Sequence, residues 1–143
     1  MSATTTRSQN LAPRTRRGRA GRLALTVLRV LLVIEFAGAG LLKLGGAEPM
    51  VQLFDEIGAG QWLRYVVGVL ELAGAVGLLV PRLTGLAAAG LTGLMAGALV
   101  THAVVLGGLP VIETLFLLAS AAITYARRAE VRSLVVRGGG ETR

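Results

Sequence analysis

The chain has 143 residues, enough for one domain. It is 53% hydrophobic and only 16% charged, with mean hydropathy +0.66, whereas a soluble domain is about a quarter charged. The net charge is +7 with 4% aromatics, which leaves little for nucleic-acid bases to stack on, and the absence of cysteine excludes disulfides, thiolate metal sites and thiol redox chemistry in this chain.

Residues 1–22, rich in Thr, Ser, Gly and Arg, read as a disordered basic tail. The first apolar stretch runs Leu23–Leu44. Its Arg16-Arg17 approach invites a cleaved-signal reading, but the run is too long and Glu35 interrupts it. Arg29, Val33, Phe36, Gly40 and Lys43 share one helical stripe, and Glu35 points about 120° away from Arg29. Counting rise from the span's start puts Arg29 about 9 Å and Glu35 about 18 Å along it. The loop 45–61 has no basic residue and carries Glu48, Asp55 and Glu56. Within it Met50, Leu53, Phe54 and Ile57 keep helical spacing, Pro49 suits a first helical position and Gly58 a helix end. A short amphipathic helix on the outer surface follows, either a floating connector or a lid.

The second stretch, Trp62–Val80, holds Arg64 near its outer end and Glu71 about 14 Å in. The third, Leu83–Leu106, carries Gly85, Ala89, Gly93, Gly97 and Thr101 at every fourth position, a ladder that lets another helix approach closely. The expectation is that this packing is within the chain. His102, the only histidine, lies about 6 Å from the span's outer end. After the uncharged turn Gly107–Gly108 comes the fourth stretch, Leu109–Ala126, with Glu113 near its start. Residues 127–143 form a second basic tail. Each stretch reaches roughly 27–36 Å, enough for a ~30 Å hydrocarbon core, and backbone in lipid must be helical. The predicted fold is all-α: an integral membrane four-helix bundle over 23–126 with a short amphipathic outer-loop helix.

Orientation follows from the basic residues. Arg7, Arg14, Arg16, Arg17, Arg19 and Arg22 precede span one, Arg82 sits between spans two and three, and Arg127, Arg128, Arg132, Arg137 and Arg143 follow span four. These segments alternate with non-basic ones, so both termini are predicted in the cytoplasm of a cell-membrane protein. Trp62 and Tyr65 then fall in an outer aromatic belt and Tyr125 in an inner one.

Ionisable residues inside spans are costly and mark function by default. Glu35 and Glu71 are too deep to snorkel, so each is either a ligand or proton group or a hydrogen-bonded tie between helices. Glu71 can meet Glu35, Arg29 or Lys43 across helices, while Lys43, His102 and Glu113 can converge near the outer face. The bland readings are that Arg29, Lys43 and Arg64 snorkel, that Glu113 caps span four, and that His102 is an interior hydrogen-bonded histidine. One histidine cannot ligate haem twice, no spacing supports a metal site, and there is no phosphate loop or nucleophile elbow.

Arg29…Phe36-Ala37-Gly38…Lys43-Leu44 resembles the opening of the DoxX and DoxX-like membrane proteins. Tyr65-Val66-Val67-Gly68-Val69-Leu70-Glu71-Leu72-Ala73-Gly74-Ala75, ending Leu78-Leu79-Val80-Pro81, is similar to their second span, and Met95, Ala98 and His102 match the third. The likeness covers about residues 25–125, with Gly58-Ala59-Gly60 before Trp62 standing where the family carries a proline. The resemblance implies a four-helix membrane bundle. Its founding members look like a membrane subunit of a thiosulfate:quinone oxidoreductase, and others are associated with redox-stress or assembly complexes. Carried onto this chain, it points to Arg29, Lys43, Glu71 and His102.

Two functions compete. In one, a membrane quinone binds in the outer half: Glu71 or His102 handles the proton, Lys43 or Arg29 stabilises developing negative charge, Glu35 and Glu113 complete the binding set, and a redox partner subunit supplies electrons. In the other, the chain is a non-catalytic scaffold or assembly factor, whose buried charges hold the bundle or a partner's helix, a second copy included.

Overall fold

The computed structural model describes residues 15–107, 109–129 and 132. The predictions for the far ends of both tails, including Arg7, Arg14, Arg137 and Arg143, and for Gly108 lie outside the described residues. Among the described residues all regular structure is helical: α1 Thr15–Leu44, α2 Glu48–Ile57, α3 Gln61–Leu79, α4 Thr84–Thr101, and α5 Val111–Ala126, with a π-helical turn His102–Leu106 continuing α4. Three segments are long and apolar enough to cross a membrane: Arg19–Leu44, Gln61–Leu79 and Thr84–Leu106. α5, at 16 residues, is apolar but shorter.

Two boundaries move from expectation. α1 begins at Thr15, well before Leu23: Arg16, Arg17, Arg19, Ala20 and Arg22 support helix as well as leucines do, outweighing Gly18 and Gly21. The last stretch becomes helical only at Val111: Pro110, with φ −78° and ψ 61°, stands before the first turn. α2 forms where its apolar spacing placed it. Pro49 takes the second helical position, and Gly58 ends the helix in the left-handed conformation at φ 75°.

α3 packs on α1 and α4, and α5 packs on α4 and more lightly on α1. Small residues set the closest approaches. A Cβ on Gly40 would lie 2.9 Å from both the Gly68 carbonyl oxygen and Leu72 Cγ, and one on Gly74 would lie 2.5 Å from Leu91. The ladder on α4 divides. Gly85 is buried, but Gly93 and Gly97 have nothing within 4 Å of a built Cβ, so half of that stripe packs against no other described element. Leu32, Phe36, Ala75, Leu78, Ala88, Leu91, Met95 and Ile123 form the core, and Phe36 stacks obliquely on Phe116 at 5.8 Å between ring centres. Meanwhile Leu31, Ile34, Leu41, Val69, Val76 and Leu118 are all more than half exposed. A small core with a large apolar exterior suits lipid contact, since lipid removes the hydrophobic penalty of the outer face. The chain is a multi-pass membrane protein.

Candidate functional site

α1 and α3 run antiparallel, so the end of α1 meets the start of α3. At their crossing Gly68 presents no side chain, and a Cβ there would come within 3.1 Å of Lys43 Cβ and 3.0 Å of Leu44. The Lys43 stem therefore lies over Gly68 and reaches the next turn of α3, where Glu71 occupies the same stripe. Lys43 Nζ donates to both Glu71 carboxylate oxygens at 2.9 Å. The two side chains are 12% and 4% exposed, so this is a nearly buried ion pair.

Directly beside it is a second polar group. Arg64, 4% exposed, donates from Nη1 to the Lys43 carbonyl oxygen and from Nε to Gln61 Oε1 at 2.6 Å. Its guanidinium also lies 4.3 Å from the Tyr65 ring centre. Gln61 in turn donates to Asp55 Oδ1 at 2.6 Å and to the Val51 carbonyl at 3.0 Å. The network thus ties α2 to α3 and to the last turn of α1. It corrects the view of Arg64 as a snorkelling surface residue. Gln61 and Asp55 are not legible as site residues from sequence, because nothing in their spacing announces a partner across a turn of unknown shape.

A second pair closes the same end of the molecule between α4 and α5. His102 Nδ1 lies 3.0 Å from Glu113 Oε1, with each side chain about a quarter exposed. His102 opens the π-helical turn, in which the Gly107 N–H donates to the His102 carbonyl at 2.9 Å. Such turns recur at functional sites. Glu113 is in the first turn of α5 but makes no side-chain cap; its recorded partner is His102. No hydrogen bond joins the two pairs among the described residues. Over this end lies α2, packed on α1, α3 and the π-helical turn and anchored by Phe54, 4% exposed. It is docked, which counts against a floating connector. Near Glu113, Leu109, Pro110, Val111, Thr114 and Leu115 line an apolar groove of about 240 Å³.

The remaining two residues stand elsewhere. Arg29 is about 21 Å from Lys43 along α1, and its Nη2 donates to the Leu79 carbonyl at 2.6 Å, satisfying an orphan acceptor at the end of α3. That places it level with the far end of α3 rather than within the site. Glu35 is on the exposed face of α1 and does not meet Glu71; its angular separation from Arg29, read from the helical wheel, agrees with this. Among the described residues no group of three or more His, Cys, Asp or Glu could hold a metal ion.

A family model described as the DoxX-like family matches residues 27–127. No curated protein and no solved structure matches the chain.

Proposed function

The chain belongs to the DoxX-like family, and from that premise we propose that it is the membrane subunit of a quinone-linked oxidoreductase or redox-stress complex. In this reading α5 crosses the membrane along with the three longer segments. The arginine-rich end faces the cytoplasm, and the two charge pairs lie in the outer half of a four-helix bundle in the cell membrane.

The observation that carries the reading is the Lys43–Glu71 ion pair, held nearly dry between two apolar helices. Placing charge inside membrane helices is costly, and such residues mark substrate, ion or proton pathways. Reduction of a quinone to a quinol takes two electrons and two protons. With no cysteine and a single histidine, the chain does not offer an electron carrier's usual ligands, so a redox partner brings the electrons. Glu71 or His102 passes protons, Lys43 stabilises negative charge on the quinone oxygen, and the apolar groove at the start of α5 supplies a surface for the ring. Arg29 and Glu35, distant from that end, take no part.

The second reading, a non-catalytic scaffold, has one observation in its favour: each pair is closed between two helices, as a structural tie would be. Native mass spectrometry of the chain, purified from its own membrane in mild detergent, tests the first. A retained quinone or a co-purifying redox subunit supports it, whereas a bare monomer or homo-oligomer sinks it. Glu71→Gln then separates the two. Under the first, yield and insertion hold while quinone reduction by the complex falls roughly 100-fold, as for a lost proton-transfer group. Under the second, the protein or its partner is lost instead.

A further inference from the structure

Most charged side chains within the apolar helices find a partner on another helix. Lys43 pairs with Glu71, His102 meets Glu113, Arg64 meets the Lys43 carbonyl and Arg29 the Leu79 carbonyl. Glu35 is different: it is exposed, and no hydrogen bond or ion pair reaches it from the described residues. It lies about 14 Å from the end of its span at Leu44, near the middle of a ~30 Å hydrocarbon core. At that depth a glutamate cannot snorkel to the headgroups, and an ionisable group left facing lipid is costly. Its neighbours on α1 have a pattern. Leu31, Glu35, Gly38 and Leu42 advance by steps of four, three and four, the spacing that keeps one helix face against another along a left-handed pair. Leu31 and Leu42 are 58% and 54% exposed. Gly38 is exposed too, and a Cβ built on it meets nothing within 4 Å, so a second backbone can come close one turn from Glu35. The face turns away from Leu32, Phe36 and Gly40, which pack inward.

We propose that this α1 face is the interface of a parallel homodimer, in which Glu35 of one protomer hydrogen-bonds Glu35 of its partner. Copies that insert the same way round carry the residue at one depth, and a two-fold axis along the membrane normal sets like against like. A carboxyl that holds a proton is both donor and acceptor. Two of them therefore bond reciprocally, O–H to carbonyl oxygen, and satisfy each other with no third group. A proton held between them also removes the repulsion of two carboxylates. Polar bonds of this kind tie helices together in lipid, where apolar side chains gain nothing from one another that acyl chains do not offer. A helix of another protein covers Glu35 as well only if it brings a donor to that same depth, whereas a second copy has one by symmetry. Leu31 and Leu42 then pack across the axis on either side of the carboxyl pair. The interface is separate from the two charge pairs, so it stands or falls independently of the quinone reading.

The test places single cysteines in the full chain, which has none of its own, and oxidises its membranes mildly. Leu31→Cys and Leu42→Cys are expected to give disulfide-linked dimers. Val76→Cys on α3 and Leu118→Cys on α5, 62% and 61% exposed, are expected to give none and control for random collision. Adding Glu35→Leu to either α1 cysteine should lower the dimer yield about tenfold, the scale of an interhelical hydrogen bond in lipid. Adding Glu35→Gln, whose amide is also donor and acceptor, should keep the dimer. Leucine in place of a lipid-facing glutamate does not threaten the fold, and a retained cooperative melt in detergent checks that. If the α1 cysteines cross-link no better than the controls, no second copy covers this face and the proposal fails. Cross-linking that survives Glu35→Leu overturns it as well, since the copies then associate without the carboxyl. Loss with Glu35→Gln overturns the reciprocal carboxyl bond, because the contact then depends on negative charge and points to a cation from another chain.

Discussion

The two ends of this molecule hold positive charge in different ways. At one end Lys43 and Arg64 are folded inward, each met by acceptors from a neighbouring helix or loop. At the other, Arg22, Arg29 and Arg127 line a cavity of about 160 Å³, and Arg29 donates to the Leu79 carbonyl. The difference tracks the local architecture. The first end is covered by α2, which brings Asp55 and its backbone to the polar network. At the other, a short turn joins α3 to α4, closed by Thr84 donating to the Val80 carbonyl at 3.0 Å. The covered end meets its cations with groups from α1 and α3 that are tied to α2, whereas at the other end Arg29 meets a single backbone carbonyl at the close of α3.

That contrast can be broken most severely at the buried pair. Glu71→Ala leaves a lysine in an apolar site without its partner. It should cost about 3 kcal/mol, the low end for buried pairs, because unfolded chains in membranes also find polar partners. Unfolding in detergent measures this, and the double variant Lys43→Met/Glu71→Leu should recover most of the loss. Were Glu71→Ala neutral, the pair would not hold the covered end. Next comes Gly68→Val, which forces a side chain between Leu44 and the Lys43 stem and should cost roughly 1–3 kcal/mol, read from the same melts; an unaffected melting point would mean that the crossing is loose. At the arginine end, Arg29→Gln removes a single charged donor from one exposed carbonyl. A loss of about 0.5–1.5 kcal/mol is expected, with faster amide exchange at the α3–α4 turn as its local signature. The smallest effect belongs to His102→Gln against Glu113→Gln. Both groups are partly solvated, and a double-mutant cycle should give a coupling of under about 1 kcal/mol. A larger value would place that pair with Lys43–Glu71 as a principal tie.

Hydropathy located the long helices, because a long apolar run has few other physical outcomes, while α2 was legible from its helical spacing between Pro49 and Gly58. It missed the first turns of α1, where Arg16, Arg17 and Arg19 extend the helix on backbone propensity rather than apolarity. For the candidate site, sequence spacing supplied the partners but not the pairing. Lys43 and Glu71, and His102 and Glu113, were all visible as charges in apolar surroundings. That Lys43 would meet Glu71 depended on where α1 crosses α3, where Gly40 and Gly68 contribute the absence of a side chain. The outward direction of Gly93 and Gly97 was illegible for a related reason: a four-residue spacing defines a face but not its neighbour. The π-helical turn at His102 inserts an extra residue per turn and left no trace in composition.

The Gly40–Gly68 contact has a mechanical consequence. It is a close approach of α1 and α3, and it divides α1 unequally: Arg29 lies about 16 Å to one side and Lys43 about 4.5 Å to the other. Any rigid tilt of α1 about this fulcrum moves its two ends in opposite senses and by different amounts. Half an ångström of travel at the Lys43–Glu71 pair becomes nearly two at the arginine cavity, so the short arm gears the long one.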